Sequence, residues 1–244
     1  ILIIIFIGNQ PLKNINWTKS TGKISAIVVQ PNIDIKEKWT QKGLNKIKSA
    51  IEKKLSQNPL QNLTQPTVIF WPEVTLTSLI QKNRIDEFRN NILDENNMLG
   101  MVMGALSEAK PEEINNSLIG IGNISGIYDK KFLVPFGEYI PFVNVLGNLL
   151  AFFDLPVAAM SAGDPKQSPL GINGWHAQPL ICYEVVYPSF TAKAAANSQV
   201  LITVSNDSWF GRSIGPLQHL QMAQMRAIEN QQYILRSTGN GVTA

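Results

Sequence analysis

Three short runs in this 244-residue chain carry apolar, β-prone stretches into reactive side chains: Trp71-Pro72-Glu73, Tyr128-Asp129-Lys130-Lys131 and Leu180-Ile181-Cys182-Tyr183-Glu184. Cys182 is the single cysteine, so it has no partner for an internal disulfide and cannot build a cysteine zinc site. Two roles remain for it. One is a buried core thiol, the usual fate of a lone cysteine, and the other is a nucleophile. Glu73 follows the proline that halts its strand, where partial desolvation would raise a carboxyl toward neutrality and suit it to general-base work. A lysine beside a thiol stabilises the thiolate, and its ammonium can hold a developing oxyanion. Position alone does not choose between Lys130 and Lys131. Base, electrostatic stabiliser and nucleophile together make a set for acyl transfer.

These side chains work together only if the fold delivers them to one place. Ile24 to Val29 and Thr67 to Trp71 are β-branched, apolar runs that predict buried strands. Leu44, Ile47, Ile51 and Leu55 recur at helical spacing with lysines between them, and Ile85, Phe88 and Ile92 predict a second helix. Met98 to Leu106 and Ser117 to Tyr128 read as strands, the second long and glycine-spaced enough for a hairpin. Trp175 to Tyr183 is a strand, Pro188 to Asn197 an alanine-rich helix, and Val200 to Ser205 a strand. Pro216 to Gln232 predicts a helix burying Leu217, Leu220, Ala223, Ala227 and Ile228, and Tyr233 to Arg236 begins a last strand. Strands alternating with helices around a hairpin predict a layered α/β domain with a mixed sheet. Glu73 falls at the C-terminal end of its strand, the edge where such folds build their sites.

Charged residues make up only 16% of the chain, low against the usual quarter, and the net charge of +3 is too small to argue for nucleic acid. Lysines between Lys36 and Lys54 read as the solvated face of a helix. The opening run Ile1 to Ile7 is too short to cross a bilayer by itself. It reads either as a buried strand or, preferably, as the remnant of a transmembrane helix, with residues 8–22 a linker to a domain at 23–244. At the other end, Gly239-Asn240-Gly241 is a turn signal cut short before its second strand. Both ends make the chain an expected internal fragment of a longer protein. Residues 141–160 form an apolar insert with Phe142, Leu149, Phe152 and Phe153, interrupted by Asn144, Asn148, Asp154 and Pro156. Buried polar groups are costly in lipid, so a loop or short interfacial helix at a bilayer surface is expected there, not a span.

Trp71-Pro72-Glu73, Tyr128-x-Lys130 running into Val134-Pro135-Phe136-Gly137-Glu138, and Cys182-Tyr183-Glu184 resemble the nitrilase (carbon–nitrogen hydrolase) superfamily. More narrowly, they resemble the periplasmic domain of bacterial apolipoprotein N-acyltransferases. Gln30-Pro31-Asn32 with Lys38-Trp39, Ser205 to Gly211 and Arg236 to Gly241 extend the resemblance from about residue 22 to the end. It implies an α/β fold, a nitrilase-like αββα four-layer sandwich truncated at both ends. It implies a catalytic triad of Glu73, Lys130 and Cys182, the lysine being the one eight positions before Glu138. It also implies transmembrane helices before residue 1, and closing strands and a membrane helix after Ala244. The domain would then face the periplasm from the bacterial inner membrane.

The chemistry implied is acyl transfer through a Cys182 thioester. A phospholipid donates the acyl chain, and the amine of a diacylglyceryl-cysteine on an apolipoprotein accepts it. Lys130 and a backbone N–H near Cys182 would hold the oxyanion, with no metal or organic cofactor. Around the triad, Glu138 is expected to orient Lys130 or steer the amine, and Glu184 to play a similar supporting part. Tyr183 would pack beside the thiol, Trp39 relates to substrate entry, and Asn206, Asp207 and Trp209 would line the pocket. The histidines fit a Cys-His mechanism poorly: His176 lies six residues before Cys182 in the same expected strand, and His219, on a helix, reads as structural or solvated. Two other functions remain in view. One is a soluble amidase in which water takes the thioester, and the other is a binding module that has no need of all three triad residues.

Overall fold

β-branched and other apolar side chains dominate the strands, and turns at strand ends carry the polar residues. The computed structural model describes residues 19–57, 63–87, 98–139, 141 and 160–244. The run 1–7, residues 8–18 of the expected linker and nearly all of the insert 141–160 lie outside that set. So do Phe88 and Ile92 of the expected second helix.

The first sheet holds β1 (Ser25–Val28), β2 (Thr67–Phe70), β3 (Leu76–Gln81), β4 (Leu99–Glu108), β5 (Ile114–Gly122) and β7 (Ile127–Asp129). Its order is β1-β2-β4-β5-β7, with β3 also paired to β4. The second holds β6 (Ile124–Ser125), β8 (Leu170–Ile172), β9 (Trp175–Ile181), β10 (Val200–Ser205) and β11 (Ile234–Thr238), in the order β11-β10-β9-β8-β6. Parallel pairing joins β1 to β2 and β2 to β4 in one sheet, and β9 to β10 and β10 to β11 in the other. The β4–β5 pair is antiparallel.

Between the sheets, Val68, Phe70, Val102 and Leu118 meet Ala177, Ile181, Ile202 and Val204. On the first sheet's outer face, Ile69, Met101, Met103 and Ile121 pack against Ile51 and Leu55 of α2 (Gln41–Leu55), which follows the one-turn α1 (Ile35–Lys38). On the second sheet's outer face, Leu180 and Leu201 pack against Ala195 of α3 (Pro188–Ala195) and Ala223 of α4 (Gly215–Asn230). The layers therefore run helix, sheet, sheet, helix. Parallel strands covered on both faces explain why β2 and β10 are buried at every position, with no polar alternation.

Several expected boundaries shift. Residues 117–128 are not one strand: β5 ends at Gly122, the two-residue β6 crosses to the second sheet, and β7 returns to pair with β5. The strand expected to reach Tyr183 stops at Ile181, because Cys182 has φ of 52° and opens a 3-10 helix to Val186. α4 turns a different face inward than its apolar pattern predicts. His219, Ala223 and Arg226 are buried at i, i+4 and i+7, whereas Leu217 and Ile228 are 53% and 69% exposed. The polar pair wins because Asp207 and the Val186 carbonyl offer them partners inside.

Gly104 of β4 governs how closely the chain after β2 can approach the sheet. A Cβ at this position would lie 2.4 Å from the Pro72 carbonyl oxygen, 2.5 Å from Val74 N and 2.8 Å from Glu73 Cα. Gly104→Ala is therefore expected to push the 72–74 turn outward, at a cost of about 1–3 kcal/mol. Chemical denaturation of the variant measures this; an unchanged midpoint would show that the turn yields freely.

Candidate active site

The C-terminal ends of three parallel strands, β2, β9 and β10, contribute. Glu73 follows β2 in a turn fastened by Thr75, whose hydroxyl donates to the Pro72 carbonyl at 2.7 Å. Cys182 follows β9, and Asn206 follows β10. Lys130 follows β7, whose antiparallel partner β5 starts at the same edge. The backbone is strained here: Val74, Phe136 and Cys182 have φ of 45°, 61° and 52°. Left-handed conformations at such residues cost about 1–3 kcal/mol each and persist only where the surroundings fix them.

Lys130 is 1% exposed. Its Nζ donates to Glu138 Oε1 at 2.8 Å and lies 3.7 Å from Glu73 Oε1. Asn116 bridges the two carboxylates, its Nδ2 donating to Glu73 Oε1 at 2.8 Å and Glu138 Oε1 at 3.2 Å. Glu73 Oε2 accepts the backbone N–H of Asn206 at 2.9 Å, and Glu138 Oε2 accepts that of Val134 at 2.8 Å. Burial draws the Lys130 pKa down, but the charges of Glu73, Cys182 and Glu138 outweigh it and leave the ammonium above the ordinary lysine range. Burial lifts the Cys182 thiol well above its ordinary value, with the Glu73 carboxylate adding to the effect and Lys130 offsetting part of it.

Glu184 is fully buried and acts on backbone. Its carboxyl accepts the N–H groups of Ile181 at 2.8 Å, Lys131 at 2.6 Å and Phe132 at 3.2 Å, and the Tyr128 hydroxyl at 3.2 Å. It thereby ties the residue before Cys182 to the residues after Lys130. Desolvation raises its pKa to about 7 against those N–H donors. Lys131 donates to the Pro165 carbonyl, so the two adjacent lysines separate into one buried and one half-buried.

Of the other expected residues, Asn206 reaches the site through its backbone, while its side chain accepts the Ser208 N–H at 3.4 Å. Tyr183 packs edge-on against Tyr187, ring centroids 5.6 Å apart. Trp39 and Trp209 stay on the surface, 54% and 77% exposed. Asp207 lines no open wall: it is 2% exposed and held between Arg236 and His219. His176 is exposed, and His219 is buried, not solvated.

Sequence reasoning missed two residues. Asn116 is one of two amides near the start of a strand that turns apolar from Leu118, and that oddity is its only signal. Lys38 is 7% exposed on α1, where its Nζ donates to the Glu73 backbone carbonyl at 3.1 Å. It sits among lysines that are solvated, and although the Lys38-Trp39 pair belongs to the resemblance, no contact with Glu73 is legible from it.

The carbon–nitrogen hydrolase family model matches residues 26–244. The apolipoprotein N-acyltransferase of Pseudomonas aeruginosa (strain LESB58) is 41% identical over 242 residues, covering 95% of this chain and 45% of its own length. That of Coxiella burnetii is 32% identical over 248 residues, covering 100% of this chain and 50% of its own length. The chain thus spans about half the length of the curated relatives it matches. Among solved structures, a carbon-nitrogen hydrolase from Helicobacter pylori aligns with a TM-score of 0.60 at 15% identity, covering 88% of this chain and 73% of its own. The NitFhit protein of C. elegans aligns with a TM-score of 0.51 at 17% identity, covering 91% and 51%. At these identities the structural likeness speaks for the fold.

Burial lowers the Lys38 pKa from 10.5 to about 8, with Glu73 pulling the other way. Between those two values the unfolded chain binds more protons than the folded one, so stability rises with pH across that window. Lys38→Met should flatten this rise, read as the thermal midpoint from pH 8 to pH 10.5. A wild-type slope retained in the variant would contradict it.

Proposed function

The chain belongs to the carbon–nitrogen hydrolase family, and we propose that it is the catalytic domain of an apolipoprotein N-acyltransferase. The observation that carries this reading is 41% identity across 95% of the chain to a protein of that name. Its acyl donor is a phospholipid, its acceptor the terminal amine of a diacylglyceryl-cysteine, and its setting the periplasmic face of a bacterial inner membrane. Among the described residues, no helix is long and apolar enough to cross a membrane.

Glu73, Lys130 and Cys182 carry the reaction. The raised thiol pKa keeps Cys182 neutral at rest, so Glu73 takes the thiol proton as Sγ attacks the ester carbonyl carbon. Negative charge leaves Glu73 and appears on the carbonyl oxygen, which the Lys130 ammonium and the Tyr183 backbone N–H stabilise. Tyr183 lies in the first turn of the 3-10 helix, where a backbone N–H has no partner within the helix. The tetrahedral intermediate collapses to a thioester, and the leaving lysophospholipid alkoxide takes the proton from Glu73. The entering amine then attacks the thioester, Glu73 removes the amine proton, and the C–S bond breaks. That proton returns to sulfur and the amide leaves. Glu138 and Asn116 hold Lys130 and Glu73 in register throughout.

Intact-protein mass spectrometry of the full-length protein with phosphatidylethanolamine tests the reading. A hydroxylamine-labile acyl adduct is expected on wild type and not on Cys182→Ala. A folded wild type that takes no adduct would remove the acyltransferase reading in favour of small amides, with water as the second nucleophile.

A further inference from the structure

A buried chain of polar groups ends on the peptide bond that follows the nucleophile. Arg236 Nη2 donates to Asp207 Oδ2 at 2.7 Å, and Asp207 Oδ1 lies 3.0 Å from His219 Nδ1. His219 Nε2 lies 3.1 Å from the carbonyl oxygen of Cys182. All three side chains are nearly inaccessible: Arg236 is 1% exposed, Asp207 2% and His219 3%. A carbonyl oxygen only accepts, so Nε2 carries a hydrogen whatever the state of Nδ1. Nδ1 faces Asp207 and also lies 3.3 Å from Arg236 Nη2, so either protonation state of that nitrogen has a partner.

The Cys182 carbonyl and the Tyr183 N–H belong to one planar peptide unit. A hydrogen bond donated to the oxygen draws electron density from the nitrogen and makes its N–H a stronger donor. We infer that His219 is a positioning residue for acyl transfer: through the Cys182 carbonyl it polarises the Tyr183 N–H toward the oxyanion and holds the left-handed turn at Cys182. Asp207 and Arg236 keep the imidazole aimed. The inference rests on the thioester chemistry proposed above for Cys182.

Two reactions of the same thiol separate this role from a merely structural one. Acylation by p-nitrophenyl butyrate passes through an oxyanion, whereas alkylation by iodoacetamide does not. In the full-length protein, His219→Asn keeps a polar group near the Nδ1 position but leaves the Cys182 carbonyl without its donor. His219→Gln places an amide nitrogen near the Nε2 position. The acylation rate divided by the alkylation rate is the readout, and it cancels any loss of folded protein. His219→Asn is expected to lower that ratio by about tenfold, short of the roughly hundredfold or greater loss for deleting an oxyanion donor outright. His219→Gln is expected to recover most of it. An unchanged ratio in His219→Asn, or acylation and alkylation falling in parallel, would overturn the inference. If wild type alkylates but never acylates, the thioester reading fails first and takes this inference with it.

Discussion

A buried ammonium sets the terms for everything around it. Lys130 cannot lose its hydration unless its charge is matched, and a cation left unpaired at such depth would cost on the order of several kcal/mol. Glu138 at 2.8 Å and Glu73 at 3.7 Å supply that match. Two carboxylates against one ammonium leave the cluster with one net negative charge. Asn116 and the N–H groups of Asn206 and Val134 spread it. A second anion in the same space would be expensive, and this adds to the burial that is the main cause of the raised thiol pKa of Cys182. The proposed reaction respects this constraint, since proton transfer to Glu73 moves negative charge to the substrate oxygen and creates none.

The backbone carries the cost of this arrangement. Left-handed turns at Val74, Phe136 and Cys182 swing the chain off its course beside Glu73, Glu138 and the Cys182 thiol. Each is pinned by different means. Gly104 leaves room for the turn at Val74, the Glu138 carboxylate accepts the Val134 N–H across the turn at Phe136, and Glu184 grips Ile181 before Cys182. The two sheets are also stitched at this edge: the Ser237 hydroxyl donates to the Val29 carbonyl, and the Asn32 N–H to that of Gly239. Strain of this kind is stable because neighbouring elements fix each turn independently.

The parallel strands were legible because burial on both faces favours mostly apolar, β-branched runs without alternation, as in Thr67 to Phe70 and Val200 to Ser205. Elements governed by local exceptions were not. β3, with exposed Ser78 and Leu79 beside a bulge against β4, has no clean alternation to read. The division of 117–128 among three strands depends on Gly122 and Gly126 at positive φ, a backbone property that apolar patterning does not encode. α4 misled because two polar side chains find partners in the interior and displace Leu217 and Ile228 to the surface. Within the site, strand ends and family motifs pointed to Glu73, Lys130, Glu138 and Cys182. Asn116, Lys38 and His219 reach the site through contacts 35 to 43 residues away in sequence. No motif announces a residue whose partners come from other strands.

A charge balance of this kind is open to direct observation, because it requires Cys182 to rest as a neutral thiol. Thiolate absorbance near 240 nm, taken as the difference between the full-length wild type and Cys182→Ala across a pH titration, tests it most directly. The account predicts no thiolate signal at pH 7 and a midpoint above the ordinary cysteine value of about 8.5. A thiolate already present at neutral pH would contradict it, and would mean that Lys130 serves the sulfur first and the carboxylates second.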